Sequence, residues 1–500
     1  MKEVFRNMSE PYFNNIKSEI LRTDLKNNLE ITRSALGETA DLNIINITIG
    51  STDCAILSIE GMASSQLLAE LVFEPLTNLA SEGPSANEII DMLEKHSLMS
   101  TDRQLVTDFG KLFELLFSGF AAILIDGVPR AVCLGIQGFE KRAVSIPEAE
   151  QTISGARDSF TETLRTNMSL IRRRLKTPAL RFELLKVGKL SVTDICIAHI
   201  EGRASTETIN KIKQKLQSIE LDTVLNAGYL MPFLDETYNR SIFSALTVTE
   251  RPDNACAALN EGKILVIIDG TPGCILLPTV FADNFRTMDD YCEKPFYAAF
   301  SRWIKYASFL LAVLLPGLYT ALVMFHPEVF PLKLLLNLAA AEVATPYPPV
   351  VEMLLLMVLF EIMREAGVRL PRSVGGAVSI VGGLIIGDAA VKSGMVSQPL
   401  LIVVGMTATA SFVLPSLYPA ITVLRLIFII AGGFGGLYGI AIASALLIFN
   451  ISAVDQYGTA FTSPLLPLRH HGLTDIFARA GFRQLAKRHT TVTDNSSDVQ

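Results

Sequence analysis

The sequence predicts an α/β cytosolic N-terminal region of two similar subdomains, followed by an all-α multi-pass membrane domain of five or six helices. Three observations predict it. Charge is segregated: residues 306–468 hold 13 charged side chains in 163 positions, about 8%, whereas the remaining 337 positions hold 80, about 24%. Within the charged part a strand motif recurs at a nearly constant offset. The rest is a series of apolar runs, and with half of the 500 residues apolar and a mean hydropathy of +0.38 the average is too hydrophobic for a wholly soluble chain.

Composition also excludes some partners. A net charge of −7 and the lack of a concentrated basic domain argue against nucleic acid, because phosphate binding needs clustered Lys and Arg. Six widely spaced cysteines with no CxxC pair, lying mostly in apolar runs, read as reduced thiols of a cytosolic domain. Residues 1–41 form a polar segment without the apolar core of a secretory signal, so the first three hundred residues are expected on the cytoplasmic side.

The repeat has two anchors. Thr52-Asp53-Cys54-Ala55-Ile56-Leu57-Ser58-Ile59-Glu60-Gly61 echoes Thr193-Asp194-Ile195-Cys196-Ile197-Ala198-His199-Ile200-Glu201-Gly202. Further on, Ile125-Asp126-Gly127-Val128-Pro129 is matched by Ile268-Asp269-Gly270-Thr271-Pro272, two strand-turn-strand hairpins in which Asp-Gly provides the tight turn. The glutamates lie 141 residues apart and the aspartates 143. These anchors place α/β subdomains at 42–150 and 191–300, joined by a basic helical linker at 151–190. Arg172, Arg173, Arg174, Lys176, Arg181, Lys186 and Lys189 crowd into this linker, read either as a contact for anionic lipid or an acidic partner, or as a solvated helix.

The membrane domain is placed at 301–455. Arg302 and Lys305 precede an apolar run at 307–325 long enough to span, which the positive-inside rule sends outward to a turn at 327–331. Residues 332–344 are too short for a full span and end at Pro346, Pro348 and Pro349, as a re-entrant or interfacial helix would. A run at 350–363 leads into Arg364, Arg369 and Arg372, a loop expected inside. A glycine-rich segment at 374–391, a run at 400–414 and a long tract at 420–454 follow, the last interrupted by Gly432-Gly433-Phe434-Gly435-Gly436. Arg469, Arg479, Arg483, Lys487 and Arg488 place the basic tail, 456–500, inside as well, so either the long tract breaks into two helices at its glycines or the glycine-rich segment is re-entrant.

No enzyme signature is present: GxSxG, a Walker loop and HExxH are all missing, and the adjacent His470 and His471 diverge. No cofactor is expected. Asp126 and Asp269 read as turn residues rather than catalytic acids. Gly432 with Gly436 and Gly435 with Gly439 read as helix-packing pairs rather than a phosphate loop. Ionisable groups within the apolar third are the better lead, because each is costly there unless it meets water or a partner. They are Glu342, Glu352, Glu361, Asp388 and Arg425. At about 100° per residue Glu352 and Glu361 fall on opposite faces of one helix. Glu361 shares its face with Leu354, Met357, Val358 and Glu365, a constriction with acids at its cytoplasmic mouth, as a cation-selective pore needs. The plainer reading of Glu361 is an ion pair with Arg364, and of Asp388 a helix-end pair with Lys392.

Several strings resemble one family. They include Thr163-Leu164-Arg165-Thr166-Asn167 with Leu170-Ile171-Arg172-Arg173-Arg174, Thr249-Glu250-Arg251-Pro252-Asp253, Leu315-Pro316-Gly317-Leu318-Tyr319 and Arg364-Glu365-Ala366-Gly367-Val368-Arg369-Leu370-Pro371-Arg372. Val266-Ile267-Ile268-Asp269-Gly270-Thr271-Pro272 and Ile380-Val381-Gly382-Gly383-Leu384-Ile385-Ile386-Gly387 join them. Together they resemble the A subunits of the GerA-type nutrient germination receptors of endospore-forming bacteria. There are departures: Gly155-Ala156-Arg157-Asp158-Ser159-Phe160 stands for Gly-Pro-Arg-Glu-Gly-Phe, Glu342 for an arginine ahead of Pro346-Tyr347-Pro348, Met357 for a second acid, and Asp388 for a glutamine. The resemblance implies a multi-pass protein of the inner spore membrane working beside an integral membrane B subunit and a lipoprotein C subunit. It also implies a homo-oligomer whose membrane helices form a ligand-gated path that releases cations to start germination. A non-conducting scaffold and a secondary transporter with broken helices at the bilayer midplane are the alternative readings.

Overall fold

The computed structural model describes residues 18–37, 39–70, 84–95, 102–138, 147, 150, 152, 155–370, 387–467, 475–479 and 481. Arg372, most of the glycine-rich segment with its 380–387 motif, His470, His471, and the tail cations Arg469, Arg483, Lys487 and Arg488 lie outside the described residues. The chain divides into two compact units, one of Met1–Glu236 with Leu246–Thr279, the other of Thr237–Ala245 with Val280–Ala486.

In the first unit the order of elements occurs twice. The first copy runs α1 (Leu25–Leu36), β1 (Leu42–Ile49), β2 (Thr52–Ile59), α2 (Ala86–Lys95), β3 (Arg103–Val106), α3 (Phe109–Leu116), β4 (Phe120–Ile125) and β5 (Ala131–Gly135). The second runs α4 (Leu164–Arg174), β6 (Leu180–Val187), β7 (Thr193–Ile200), α5 (Thr206–Gln217), β8 (Thr247–Thr249), α6 (Pro252–Asn260), β9 (Ile264–Ile268) and β10 (Cys274–Leu277). Each copy forms one five-stranded antiparallel sheet, in the orders β1-β2-β4-β5-β3 and β6-β7-β9-β10-β8. Alternation along each strand sends side chains to two faces. In the first sheet Leu57, Ala122 and Leu124 meet Leu29, Leu36 and Phe109 of α1 and α3, while Ile56, Ile123 and Val132 meet Ile89, Ile90 and Leu93 of α2. A strand covered on both faces needs no polar alternation, which is why β4 and β9 are buried throughout. Five of the six cysteines are buried free thiols in this unit.

The Asp-Gly turns do more than turn the chain. Asp126 Oδ1 accepts from the backbone N–H of Leu25 at 3.0 Å, and Asp269 Oδ1 from that of Leu164 at 2.9 Å, so each carboxylate pins the N-terminus of the first helix of its own copy. Asn28 and Asn167, one turn further on, close the loop before the helix with matching bonds to Arg22 and Thr161. Each copy therefore begins with a helix, α1 or α4, which the sequence reading had left in the polar segment and the linker.

The basic cluster is largely spent inside the unit. Arg172, 1% exposed, forks onto Asp41 at 2.7 and 3.0 Å and donates to the carbonyls of Thr177 and Leu180. Arg181 donates to the last carbonyls of α1, at Ala35 and Leu36, and to Glu201 at 2.5 Å. Arg173 and Arg174 pair with Asp158. Residues 180–187 form a strand, β6, rather than a continued helix, because Thr177-Pro178 ends α4 and the alternating run that follows pairs with β7.

The second unit is helical: α7 (Pro295–Phe325), α8 (Leu332–Val343), α9 (Pro349–Arg369), α10 (Gln398–Phe412) and α11 (Tyr418–Ala453). Prolines in the first turns of α7, α9, α10 and α11 suit positions whose N–H groups need no helical acceptor. Residues 237–245 and 280–294 belong to this unit rather than to the second sheet, because Phe243, Phe281 and Phe285 form an aromatic cluster with Phe309 and Phe461. Among the described residues two helices are long and apolar enough to cross a membrane, Pro295–Phe325 and Pro415–Ala453.

The second of these is folded back on itself. Gly436 has φ 56° and ψ −144°, and a Cβ placed on Gly439 would stand 2.0 Å from the carbonyl oxygen of Ala431. Eight residues of straight helix would separate those positions by about 12 Å, so the chain reverses at Gly436. The first limb packs on α7, where a Cβ on Gly432 would meet the Gly317 carbonyl oxygen at 2.2 Å, and the tip rests on Phe325 and His326. Gly432 thus serves close helix packing, whereas Gly436 serves the turn and a Cβ on Gly435 would meet nothing.

The tail returns to the start of α7. Arg302, fully buried, donates to Asp290 at 2.8 Å and to the side chain and carbonyl of Asp475 at 2.9 and 2.7 Å, and Tyr291 donates to Asp475 at 2.6 Å. Burial alone would raise the Asp475 carboxyl, but Arg302, Tyr291 and Arg286 hold it below the ordinary carboxylate range.

Two predictions follow from these buried charges. Asp41→Ala leaves Arg172 buried without its carboxylate and should cost about 3–5 kcal/mol, while Arg165→Ala, which breaks the half-exposed pair with Glu60, should cost under about 1 kcal/mol; thermal melting of the purified chain distinguishes them. Because the Asp475 pKa is depressed, its contribution is complete above about pH 4 and is lost only as pH falls through its lower folded value. Protease cleavage of the tail should therefore stay slow in the native chain at pH 5 and become fast in Asp475→Asn at neutral pH.

Candidate functional site

Glu361 sits on α9 where the i+3 spacing brings Arg364 to its carboxylate at 3.1 Å. That local pair is part of a larger arrangement. From the first limb of α11, Tyr418 donates to Glu361 at 2.8 Å, Thr422 at 3.2 Å, and Arg425 joins the same oxygen. Tyr418, Thr422 and Arg425 follow one another at steps of four and three, so they form one stripe on the helix. Arg364 also lies over the Tyr418 ring, 4.2 Å from its centroid. Arg425 is fully buried, and its placement requires the Glu361 carboxylate.

Beside this network lies an open cleft of about 490 Å³ between α9 and α11. Met357, Val358, Glu361 and Glu365 all line it, with Ile362 and Leu426 supplying apolar wall. Leu354 does not: it packs with the core that holds Leu400 and Val404 of α10. Met357 is fully buried, whereas Val358 is 51% exposed. Glu365 is tied along its own helix, to Arg369 at 2.7 Å.

The other charges are placed apart from this cleft. Glu352 is buried and accepts from the Ser397 N–H at 3.0 Å, at the N-terminus of α10, where the helix dipole favours an anion. It and Glu361 therefore meet different helices, as their opposite faces require. Asp388 pairs with Lys392 at 2.6 Å in an exposed position. Glu342 is half-buried on α8. Sequence reading did not find Tyr418, Thr422 or Ser397 as partners. The spacing of Tyr418 and Thr422 ahead of Arg425 was the available signal, while nothing local marks Ser397.

Comparison with known proteins places the chain. Residues 30–491 match the family described as Bacillus/Clostridium GerA spore germination protein. Spore germination protein KA of Bacillus subtilis (strain 168) is 35% identical over 480 residues, covering 95% of this chain and 88% of that protein. Spore germination protein GerLA of Bacillus cereus is 32% identical, covering 94% and 95%. Uncharacterized membrane protein YfkQ of Bacillus subtilis (strain 168) is 33% identical, covering 94% and 91%. Among solved structures, the N-terminal domain of the A subunit of the Bacillus megaterium spore germinant receptor GerK3 aligns at a TM-score of 0.42 and 27% identity, covering 53% of this chain and 98% of that one. With the family matched over nearly its whole length and relatives above 30% identity covered end to end, the chain belongs to the GerA family of spore germination proteins.

Proposed function

We propose that the chain is a membrane subunit of a nutrient-responsive germinant receptor, and that it oligomerises into a ligand-gated ion channel whose opening releases cations to start germination. In this reading it sits in the inner spore membrane as a multi-pass protein, its α/β region cytoplasmic, beside an integral membrane B subunit and a lipoprotein C subunit. The role is not enzymatic. The observation that carries the channel reading is the cleft at Val358: an acid-bearing helix with an exposed apolar side chain, fixed to its neighbour by one ion-pair network. The large apolar side chains exposed on the second limb of α11, Tyr438, Ile442, Leu446 and Phe449, support a surface covered by lipid or by further copies.

Topology supports the orientation. The start of α7 and the tail lie at one end of the helical unit, through Arg302 and Asp475, and the Gly436 turn lies at the other, against Phe325 and His326. An even number of passages fits this arrangement, and six is the count we favour, with both limbs of α11 crossing. Cations of the first helix and of the tail then share the cytoplasmic side.

As mechanism, nutrient binding in the partner shifts α9, and the wall at Val358 widens to admit ions, with Glu361 and Glu365 at the cytoplasmic mouth. Two substitutions separate gate from framework. Val358→Ala touches no hydrogen bond and should give leaky or unusually sensitive opening at unchanged stability, read as single-channel current in planar bilayers containing the purified subunits. Glu361→Gln removes the charge that matches Arg425 and should lower stability by about 3 kcal/mol in thermal melting. A silent bilayer with a verified oligomer would transfer the assignment to the scaffold reading, and substrate uptake without discrete currents would transfer it to a transporter.

A further inference from the structure

The helical unit also holds two acids for which the described residues offer no base. Glu352 is 2% exposed, and Glu342, the second acid, is half-buried at the end of α8, ten residues before it. Among the described residues neither carboxylate has an ion-pair partner; Glu352 has the Ser397 N–H, and Glu342 Oε1 is buried with no hydrogen bond at all. Two hydroxyls face the same place. Tyr319, 9% exposed, and Ser397, 3% exposed, each bury an oxygen that lacks a partner; Tyr319 packs in one cluster with Leu338, one turn before Glu342, Met353, beside Glu352, and Val396, beside Ser397, and a Cβ on Gly394 would stand 3.3 Å from the Ala344 carbonyl oxygen.

Apolar side chains enclose this group: Leu338, Val350, Met353, Val396 and Leu400 share one cluster with Tyr319. Buried polar atoms are normally satisfied, and three orphaned oxygens on residues around one cluster call for an occupant. Water could bond the hydroxyls, but it would leave two carboxylates unmatched in apolar surroundings. The polar side-chain groups are all oxygen donors, two carboxylates and two hydroxyls, and the Met353 thioether in the same cluster is only a weak, soft acceptor. That donor set selects hard cations over transition metals.

We propose that Tyr319, Glu342, Glu352 and Ser397 bind one hard metal cation, tying together α7, α8, α9 and the start of α10. The bound ion would fix the Pro346-Tyr347-Pro348 connection, since Glu342 and Glu352 flank it. The site stands whether or not the chain conducts.

The test is thermal melting of the purified full-length chain in detergent at neutral pH, in choline chloride and then in KCl, NaCl, MgCl₂ or CaCl₂ at matched ionic strength. At least one metal should raise the native Tm by about 3 °C or more, and which salts act distinguishes alkali from alkaline-earth ions. Glu342→Gln should abolish the rise, and Tyr319→Phe, which leaves the packing intact, should raise the half-saturating concentration roughly tenfold, the effect of one lost ligand bond. Glu342→Arg carries its own cation, so it should reach the metal-bound Tm in choline alone and respond to no metal. A metal response that is the same in the native chain and Glu342→Gln would overturn the site. So would melting that depends on pH but on none of the four metals, which would mean the acids share a proton.

Discussion

A charge taken out of water has to meet an opposite charge or a set of hydrogen bonds, and among the described residues three arginines are fully buried under that constraint. Arg172 meets Asp41, Arg302 meets Asp290 and Asp475, and Arg425 meets Glu361. Asp41 and Arg172 are 131 residues apart, Arg302 and Asp475 173, and Glu361 and Arg425 64, so none of these pairs can close until distant segments are in place. Each one consequently marks a junction. The first joins the two copies of the repeat, the second returns the tail to the first long helix, and the third sets α9 against α11.

Duplication explains how the first unit repeats its architecture with little sequence in common. What recurs is the geometry around the Asp-Gly turn: the aspartate holds the N-terminus of the copy's first helix, and the glycine N–H bonds the carbonyl of Thr23 or Glu162 just before that helix. A glycine at φ 85° in one copy and 87° in the other makes the turn, and no side chain stands in the way of either. The copies could drift elsewhere while this joint was kept.

The strands and the Asp-Gly hairpins were legible because their signals are local: alternation, apolar runs and turn chemistry. The helix α1 was harder to see, since its polar face and flanking charges hid an apolar face that packs on the sheet, whereas α4 lies in the stretch read as a basic helical linker. The basic run from Arg172 to Arg181 reads as surface because a cation's partner cannot be seen in its own neighbourhood; Asp41 and Glu201 belong to other elements. In the helical unit the glycines of the long tract marked where it could break, but which of them carries the break, Gly436, was not legible in their spacing. The helix period placed Glu361 beside Arg364 and apart from Glu352, but it could not show that α11 would supply three further partners.

The reversal at Gly436 is what allows those partners to act. With the tip held at Phe325 and His326 and Gly432 seated on Gly317, the first limb of α11 runs beside α7 in a fixed register. Its stripe of Tyr418, Thr422 and Arg425 is then presented at one height, and the Glu361 carboxylate is the only acid of α9 that reaches it among the described residues. The other end of α9 is held independently, by Glu352 at the start of α10. A helix held by carboxylates at two points nine residues apart can tilt only if one of those attachments yields, and Val358, lying between them and half exposed, is where such a tilt would be felt first. In that arrangement polar groups set where the helix stands, while Val358, an apolar side chain that takes part in none of those polar contacts, would form the moving wall of the proposed gate.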